Sequence, residues 1–199
     1  MDNKCPVCNL EVSEPQYYDD RGKGMHRYSC PRCGDYKIET GFERVLSAIL
    51  NKDVKKIAAL SHWIRTKHES IIKEPPDDNF FRKTIILEKE LVESIIKHPP
   101  PNPSEQANNI IGWLGENLEA PGEVVKSESN VDQSIMGCLT PRNFVLVIKH
   151  LIDSGIVQGT VSTATANVTL TFQGWQYYEE LKRGAIDSRR AFMAMKYGD

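Results

Sequence analysis

The sequence lacks long hydrophobic runs and an apolar leader. No stretch approaches the roughly 20 consecutive apolar residues that a membrane-spanning helix needs. The N-terminus begins Met1-Asp2-Asn3-Lys4 and continues directly into a cysteine motif, which is not the pattern of a secretory signal. We therefore predict a cytoplasmic protein that has no membrane partner.

An excess of positive charge is also missing. The chain has 25 Lys and Arg against 27 Asp and Glu, which gives a net charge of -2. Such a chain has no global field that attracts nucleic acid or anionic lipid, so any nucleic-acid binding requires a local basic patch. The composition is otherwise that of an ordinary globular chain, and 199 residues predict one or two domains.

Catalytic signatures are absent from the sequence as well. It contains neither a G-x-S-x-G nucleophile motif nor a phosphate-binding loop. Zinc deaminases require H-x-E together with P-C-x-x-C, whereas the cysteine pairs here read C-P-x-C and His68-Glu69 lacks the spacing. We expect Cys138 to be a packed apolar thiol. The chain is therefore predicted not to be an enzyme.

Cysteine is scarce but concentrated at the N-terminus. Four of the five cysteines form two Cys-Pro-x-Cys pairs, Cys5 with Cys8 and Cys30 with Cys33. Cytosolic thiols are normally reduced, so a metal site is favoured over disulfides. Zinc is bound tetrahedrally by four thiolates in closed structural sites. We predict one structural zinc per chain, held by these four cysteines.

The residues around the cysteine pairs predict a zinc ribbon over residues 1–40. Asn9 and Gly34 follow the two pairs, and both residue types tolerate the positive φ that such turns need. A turn at residues 20–24 predicts a hairpin, and "DYKIET" a third strand. We expect His26 at the surface rather than on the metal. The ribbon either contacts nucleic acid or protein, or is a structural clip, which we favour.

Residues 41–98 are predicted to be helical. One helix covers residues 42–50, a second begins after Asp53 as its N-cap, and a third covers residues 87–97. The segment at residues 71–83 has the composition of a loop, and "HPPPNP" that of a stiff linker. The second helix carries a basic face, which we interpret as solvated, although it could bind phosphate. Its cations are Lys55, Lys56, His62 and Arg65.

Residues 102–185 show the element order of a winged helix-turn-helix domain. Caps at Asn102 and Thr140 start two helices, and a short strand at 123–126 and a short helix at 131–139 lie between them. Strands at 156–161 and 167–172 form the wing, and a helix at 174–184 closes the domain. The predicted fold class is therefore α+β, mostly α, with a small antiparallel zinc-ribbon sheet, a helical middle and this winged-helix-like domain.

The helix that starts at Thr140 would be the recognition helix of a DNA-binding protein. Its candidate contacts are Arg142, Asn143 and Lys149, but the wing "GTVSTATANV" contains no Lys or Arg. Base and phosphate recognition normally uses more cations than this. The sequence thus leaves two roles open for this region, DNA binding and protein interaction.

Four motifs in order resemble a family of prokaryotic multidomain proteins, mostly of unassigned function. The motifs are "CPVC…CPRCGDYKI", "LSHWIR" at residues 60–65, "LTFQGWQYYEEL" at residues 170–181 and "SRRAFMAMKYGD" at residues 188–199. The resemblance covers essentially the whole chain. In this family, "AFVAM" opens an appended domain similar to Toll/interleukin-receptor-like and nucleoside deoxyribosyltransferase-like folds, some of which cleave nucleotides or NAD in anti-phage defence.

The resemblance implies that residues 188–199 are the first strand of a C-terminal domain whose catalytic residues lie beyond Asp199. Without its sheet, this segment is expected to be disordered, helical as an extension of the preceding helix, or paired with a neighbour. The chain would then be a non-catalytic sensor or adaptor region that regulates its own C-terminal domain. The alternative is a nucleic-acid-binding transcriptional regulator. Partners of either kind and self-association stay open.

Overall fold

The computed structural model describes residues 3–20, 22–72 and 84–196. These residues form an α+β fold that is mostly helical, as the sequence predicts. The elements are β1 (Gln16–Asp20), β2 (Lys23–Cys30), β3 (Gly34–Glu39), α1 (Phe42–Leu50), α2 (Val54–Ile72), β4 (Ile85–Leu87), α3 (Lys89–Ile96), α4 (Pro103–Asn117), β5 (Val125–Glu128), α5 (Ser129–Met136), α6 (Pro141–Asp153), β6 (Val157–Val161), β7 (Thr165–Leu170) and α7 (Phe172–Lys196).

The N-terminal sheet has the order β1-β2-β3-β4. Its first three strands are antiparallel, as expected for a ribbon, and Tyr28 of β2 lies directly opposite Tyr36 of β3. Strand β4 pairs with β3 in parallel, with Ile38 opposite Leu87. The sequence analysis missed this strand and started the third helix at Leu87, whereas α3 begins at Lys89. The apolar run at residues 85–87 is buried at alternate positions, which is the pattern of a strand.

The ribbon and the helical region share one hydrophobic core. The inner face of the sheet packs against α1, α2 and α3, whose buried residues include Leu46, Leu60, Ile64 and Val92. A ribbon of this size cannot bury enough apolar surface alone. The boundary predicted between residues 40 and 41 therefore lies inside one packed unit. Most of the loop predicted at residues 71–83 lies outside the described residues, as does Arg21 in the predicted turn.

Residues 102–181 form a second core with the predicted winged-helix order of elements. The side chain of Asn102 accepts from the amides of Ser104 and Glu105, which makes a capping box with Pro103 at the first helical position. Thr140 caps α6 through its hydroxyl, which accepts from the amide of Asn143, and Pro141 occupies the first helical position. The sheet has the order β5-β7-β6, and the β6–β7 hairpin is the wing.

The predicted bounds differ from the structure at several ends of this region. Strand β5 begins later than the sequence suggests, and α5 begins at Ser129 and ends before Gly137, whose φ is 75°. The second wing strand stops at Leu170 because Thr171 caps α7, its hydroxyl accepting from the amide of Gly174 over 3.0 Å. A left-handed glycine at Gly137 and the Thr171 cap decide two of these ends, and hydrophobic periodicity does not report them.

Helix α7 continues to Lys196, well beyond the predicted end at residue 184. The backbone at residues 188–196 is thus helical rather than the strand that the apolar run predicts, which is one of the three outcomes expected in the absence of a partner sheet. A helix satisfies its backbone hydrogen bonds within the segment, whereas an unpaired strand leaves them open. Residues 197–199 lie outside the described residues, and the assignment of this segment to a further domain stays a prediction.

The length and apolar character of the helices in the described residues bear on membrane insertion. No single helix there is both long enough and apolar enough to cross a bilayer. The bent pair of α5 and α6, which meet at 71°, reaches that length and composition only jointly.

Candidate metal centre

Two cysteine turns bring four sulfur atoms together at one end of the ribbon. The Sγ atoms of Cys5 and Cys33 are 3.9 Å apart, and those of Cys8 and Cys30 are 3.5 Å apart. All four lie within 4.8 Å of one another. A tetrahedron with metal–sulfur bonds of about 2.3 Å has sulfur–sulfur edges of about 3.8 Å. The four cysteines therefore form a group that can hold a metal ion.

The backbone after each cysteine pair has the conformation that the sequence predicts. Asn9 has a φ of 61° and Gly34 a φ of 86°. The amide of Asn9 donates to the carbonyl of Cys5 over 2.8 Å, which closes the first turn. At the second turn the amide of Cys33 donates to the sulfur of Cys30 over 3.4 Å. The positive φ of Asn9 and Gly34 reverses the chain direction after each cysteine pair, so that the two sulfurs of a pair face the same point.

Burial of these cysteines favours the protonated thiol, whereas hydrogen bonds among them favour the charged thiolate. Cys5, Cys30 and Cys33 are buried, and Cys8 is half-buried. Burial raises the pKa of the Cys5 and Cys33 thiols, whereas hydrogen bonds from Cys33 lower the pKa of the Cys30 thiol. Four thiolates packed this closely repel one another unless a cation lies among them, and a bound metal keeps such thiols deprotonated. The donor set thus fits a metal ion.

A buried tyrosine is hydrogen-bonded to one of the four cysteines. The hydroxyl of Tyr36 lies 2.9 Å from the sulfur of Cys5, and Tyr36 is fully buried. Burial raises the pKa of Tyr36, so the phenol keeps its proton, and its hydroxyl can donate a hydrogen bond to Cys5 when that sulfur is a thiolate. The rings of Tyr28 and Tyr36 stack at 5.5 Å. The cysteine motifs do not single out Tyr36. The sequence signal for this residue is its position in the middle of β3, two residues after Gly34.

His26 is neither at the surface nor on the metal. Its exposed fraction is 5%, and its Nδ1 lies 2.7 Å from Oε1 of Glu43 at the start of α1. The expectation of a surface histidine is therefore wrong. His26 and Tyr28 alternate along β2 and lie on the same face of the strand, which packs against α1. The face that each strand buries becomes apparent only when α1 is placed against the sheet.

The basic face of α2 is divided between solvent and intramolecular contacts. Lys55 is exposed, while Lys56 donates from Nζ to the carbonyl of Ile49 over 3.0 Å. Arg65 donates to Glu69 and, over 2.8 Å, to the carbonyl of Pro31 in the second cysteine turn. The interpretation as a solvated face holds for Lys55 alone. The cations that were candidates for nucleic-acid contact thus do not form one continuous patch.

The candidate contacts on α6 lie outside the metal centre, in the second core. Arg142 and Lys149 are exposed and stand two turns apart on one side of α6, with the exposed Leu146 between them. Asn143 is half-buried, and its Oδ1 accepts from the hydroxyl of Thr140 over 2.6 Å. Two exposed cations thus remain available on this helix.

Cys138 is separate from the cluster and has the packing role predicted for it. It is fully buried in the second core, and its sulfur lies 3.4 Å from Oε1 of Gln106. Burial raises the pKa of Cys138 to about 12, which keeps it a neutral thiol.

No protein-family model, curated protein or solved structure matches this chain. The site is therefore defined by its own geometry. That geometry comprises two cysteine turns with left-handed residues behind them and four closely spaced sulfurs. A phenol is hydrogen-bonded to one of these sulfurs.

Proposed function

We propose that Cys5, Cys8, Cys30 and Cys33 bind one zinc ion in a structural site. The spacing of the four sulfurs and their burial support this proposal. Four thiolates complete the tetrahedral coordination of zinc and leave no position for water, so the site holds the fold together and performs no catalysis. Reduced thiols of this kind fit the cytoplasm.

Elemental analysis of the purified reduced protein tests the metal site. We expect about one zinc per chain, and Cys30→Ser should remove it. Because the ribbon shares its core with α1 to α3, this loss should destabilise those helices as well as the ribbon. Cys138→Ser makes the same chemical change at a buried thiol outside the cluster and should retain the zinc. A protein with free thiols and no metal would contradict the proposal.

We further propose that this region is a non-catalytic sensor or adaptor. Among the described residues, the four cysteines are the one group of His, Cys, Asp or Glu side chains that could hold a metal, and four thiolate ligands on zinc would leave no coordination position for water. The metal-binding turn also contacts α5 of the winged-helix region, so the two cores are physically joined. This contact carries the proposal, because an adaptor must transmit a change from one part of the chain to another.

The target of the adaptor is inferred from the family resemblance of the motifs. On this proposal the chain regulates a C-terminal domain that processes NAD or nucleotides, in a defence role. The codons that follow Asp199 provide the first test, since a stop codon at that point would contradict the proposal. Turnover of NAD or nucleosides by residues 1–199 alone would contradict the non-catalytic assignment.

Exposed Arg142 and Lys149 favour a second candidate function, nucleic-acid binding by α6. The uncharged wing opposes it, because a wing that contacts phosphate needs cations. A gel-shift series with duplex DNA at increasing salt distinguishes the two candidates. Binding that weakens with salt and is reduced by Arg142→Ala would favour the nucleic-acid regulator, and absence of binding at low salt would exclude it.

A further inference from the structure

The turn between Cys30 and Cys33 is held by side chains from two different helices. The carbonyl of Pro31 accepts from Nη1 of Arg65 in α2 over 2.8 Å. The carbonyl of Arg32 accepts from the hydroxyl of Ser134 in α5 over 2.5 Å, which is shorter than the 3.1 Å from that hydroxyl to the carbonyl of Val131 in its own helix. The carbonyls of Pro31 and Arg32, the two residues between these cysteines, thus both accept from side chains of other elements.

Ser134 makes a second hydrogen bond through its backbone carbonyl, in addition to the one made by its hydroxyl. Its own carbonyl accepts from Nδ1 of His62 in α2 over 2.7 Å, and its exposed fraction is 1%. Since a carbonyl only accepts, His62 carries its proton on Nδ1. Burial lowers the pKa of His62, which is consistent with a neutral donor. One serine therefore joins the metal-binding turn, α2 and α5.

The packing at this junction is as close as the hydrogen bonding. Gly137 ends α5 with a φ of 75°, and a Cβ added there would lie 2.6 Å from the Pro101 ring and 3.2 Å from the His62 ring. Arg32 is buried at 8% exposure. The end of α5 is therefore packed closely against α2 and the linker.

We propose that the state of the four-cysteine centre determines whether α5 of the winged-helix region is fixed on the ribbon. This inference rests on the proposed metal site. A bound metal fixes Cys30 and Cys33, and through them it fixes the direction in which the Pro31 and Arg32 carbonyls point. When the metal leaves, the four sulfurs lose their common ligand and the turn loses the geometry that presents Arg32 to Ser134. Binding or loss of the metal is then the signal, and the change in how α5 is held on the ribbon is the response.

Hydrogen–deuterium exchange of the full chain, with zinc bound and after removal by a chelator under reducing conditions, tests the link. Ser134→Ala removes the hydroxyl that reaches Arg32. Ser154→Ala is its matched control, because Ser154 is exposed and donates to His150 within its own helix. Arg65→Met removes the second contact with the turn and provides an independent variant. Zinc content is measured on every sample by elemental analysis.

In the unsubstituted protein, zinc removal should speed exchange in both the ribbon and α5. In zinc-bound Ser134→Ala, exchange in α5 should be about tenfold faster, which corresponds to about 1.4 kcal/mol, while the ribbon stays protected. Ser154→Ala should leave α5 unchanged, and Arg65→Met should act in the same direction as Ser134→Ala.

Two results would overturn the link, and they differ from each other. If zinc binds and its removal exposes the ribbon but leaves exchange in α5 unchanged, the link is wrong and the metal site stands. If the reduced protein binds no metal at all, the metal site fails and the link fails with it.

Discussion

Tyr36 of β3 and Cys5 of the first cysteine turn are hydrogen-bonded, with 2.9 Å between the phenol oxygen and the sulfur, and neither residue is more than 1% exposed. A donor to a metal-bound thiolate spreads its negative charge and holds its direction, and such outer partners typically change metal affinity by about 10–100-fold. The relationship gives Tyr36 a role in the proposed zinc site that is separable from its packing.

Tyr36→Phe should therefore weaken zinc binding by about tenfold while the fold is retained, because only one hydroxyl is lost. Competition with a chromophoric chelator measures the affinity. Tyr17→Phe is the matched control, since Tyr17 lies in the same sheet but is 64% exposed. Equal affinities of the two variants would show that the bond to Cys5 does not support the site.

Gly34→Ala should lower the free energy of unfolding for two reasons, and a control substitution at another glycine distinguishes them. The φ of 86° is unfavourable for alanine, which costs about 1 kcal/mol, and a Cβ would lie 2.7 Å from the His68 ring. Gly41→Ala is the control, because Gly41 has a φ of 94° and open space around the added Cβ. We expect Gly34→Ala to cost about 1–3 kcal/mol more than Gly41→Ala in denaturant unfolding.

The double variant Gly34→Ala with His68→Ala then completes a cycle. If the steric contact is the cause, removing the ring should recover the additional loss, and the two changes should be strongly non-additive. Additive effects would indicate that His68 does not pack over the second cysteine turn.

Much of the metal centre could be predicted from the sequence because its determinants are local. The spacing of the cysteines and the identities of Asn9 and Gly34 specify the two turns, and Asn102 and Thr140 specify where helices begin. Each of these features acts over a few residues, so the linear pattern contains it.

The remaining features depend on residues that are distant in sequence. Strand β4 is defined by its partner β3, and three apolar residues have no periodicity of their own that distinguishes strand from helix. The burial of His26 depends on which face of β2 packs against α1. Ser134 and Arg32 are in contact although they are 102 residues apart in the sequence, and neither residue type by itself predicts such a contact.

The pair formed by His26 and Glu43 predicts a pH-dependent contribution to stability. Burial opposes the shift, but hydrogen bonds from His26 and from backbone amides lower the pKa of Glu43 below its usual value of 4.5. A carboxyl group with a lowered pKa stabilises the fold above its unfolded pKa, and that contribution disappears as the pH falls through the folded value. The relevant window therefore lies below pH 4.5.

Glu43→Gln should lower the free energy of unfolding by about 1.5 kcal/mol at neutral pH, since a charged acceptor is lost at a mostly buried contact. The difference from the unsubstituted protein should narrow as the pH falls below 4.5. Urea unfolding at a series of pH values measures it. Glu39→Gln is the control, because Glu39 is an exposed partner of Lys23 at 3.7 Å and should have little effect. A constant difference at every pH would refute the assignment.

The four proposed zinc ligands all belong to the first hydrophobic core, so damage deep in the second core should leave the zinc stoichiometry unchanged. Leu114 is fully buried in the winged-helix core, and Leu114→Ala should cost about 2–5 kcal/mol through lost burial and a residual cavity. Leu146→Ala makes the same change at a residue that is 54% exposed and should cost far less. Because Leu114 and the four cysteines belong to different cores, both variants should still bind one zinc per chain. Thermal unfolding and elemental analysis on the same samples measure the two quantities. Zinc loss from folded Leu114→Ala would mean that the second core is required for metal binding itself, beyond the contact of Ser134 with the cysteine turn.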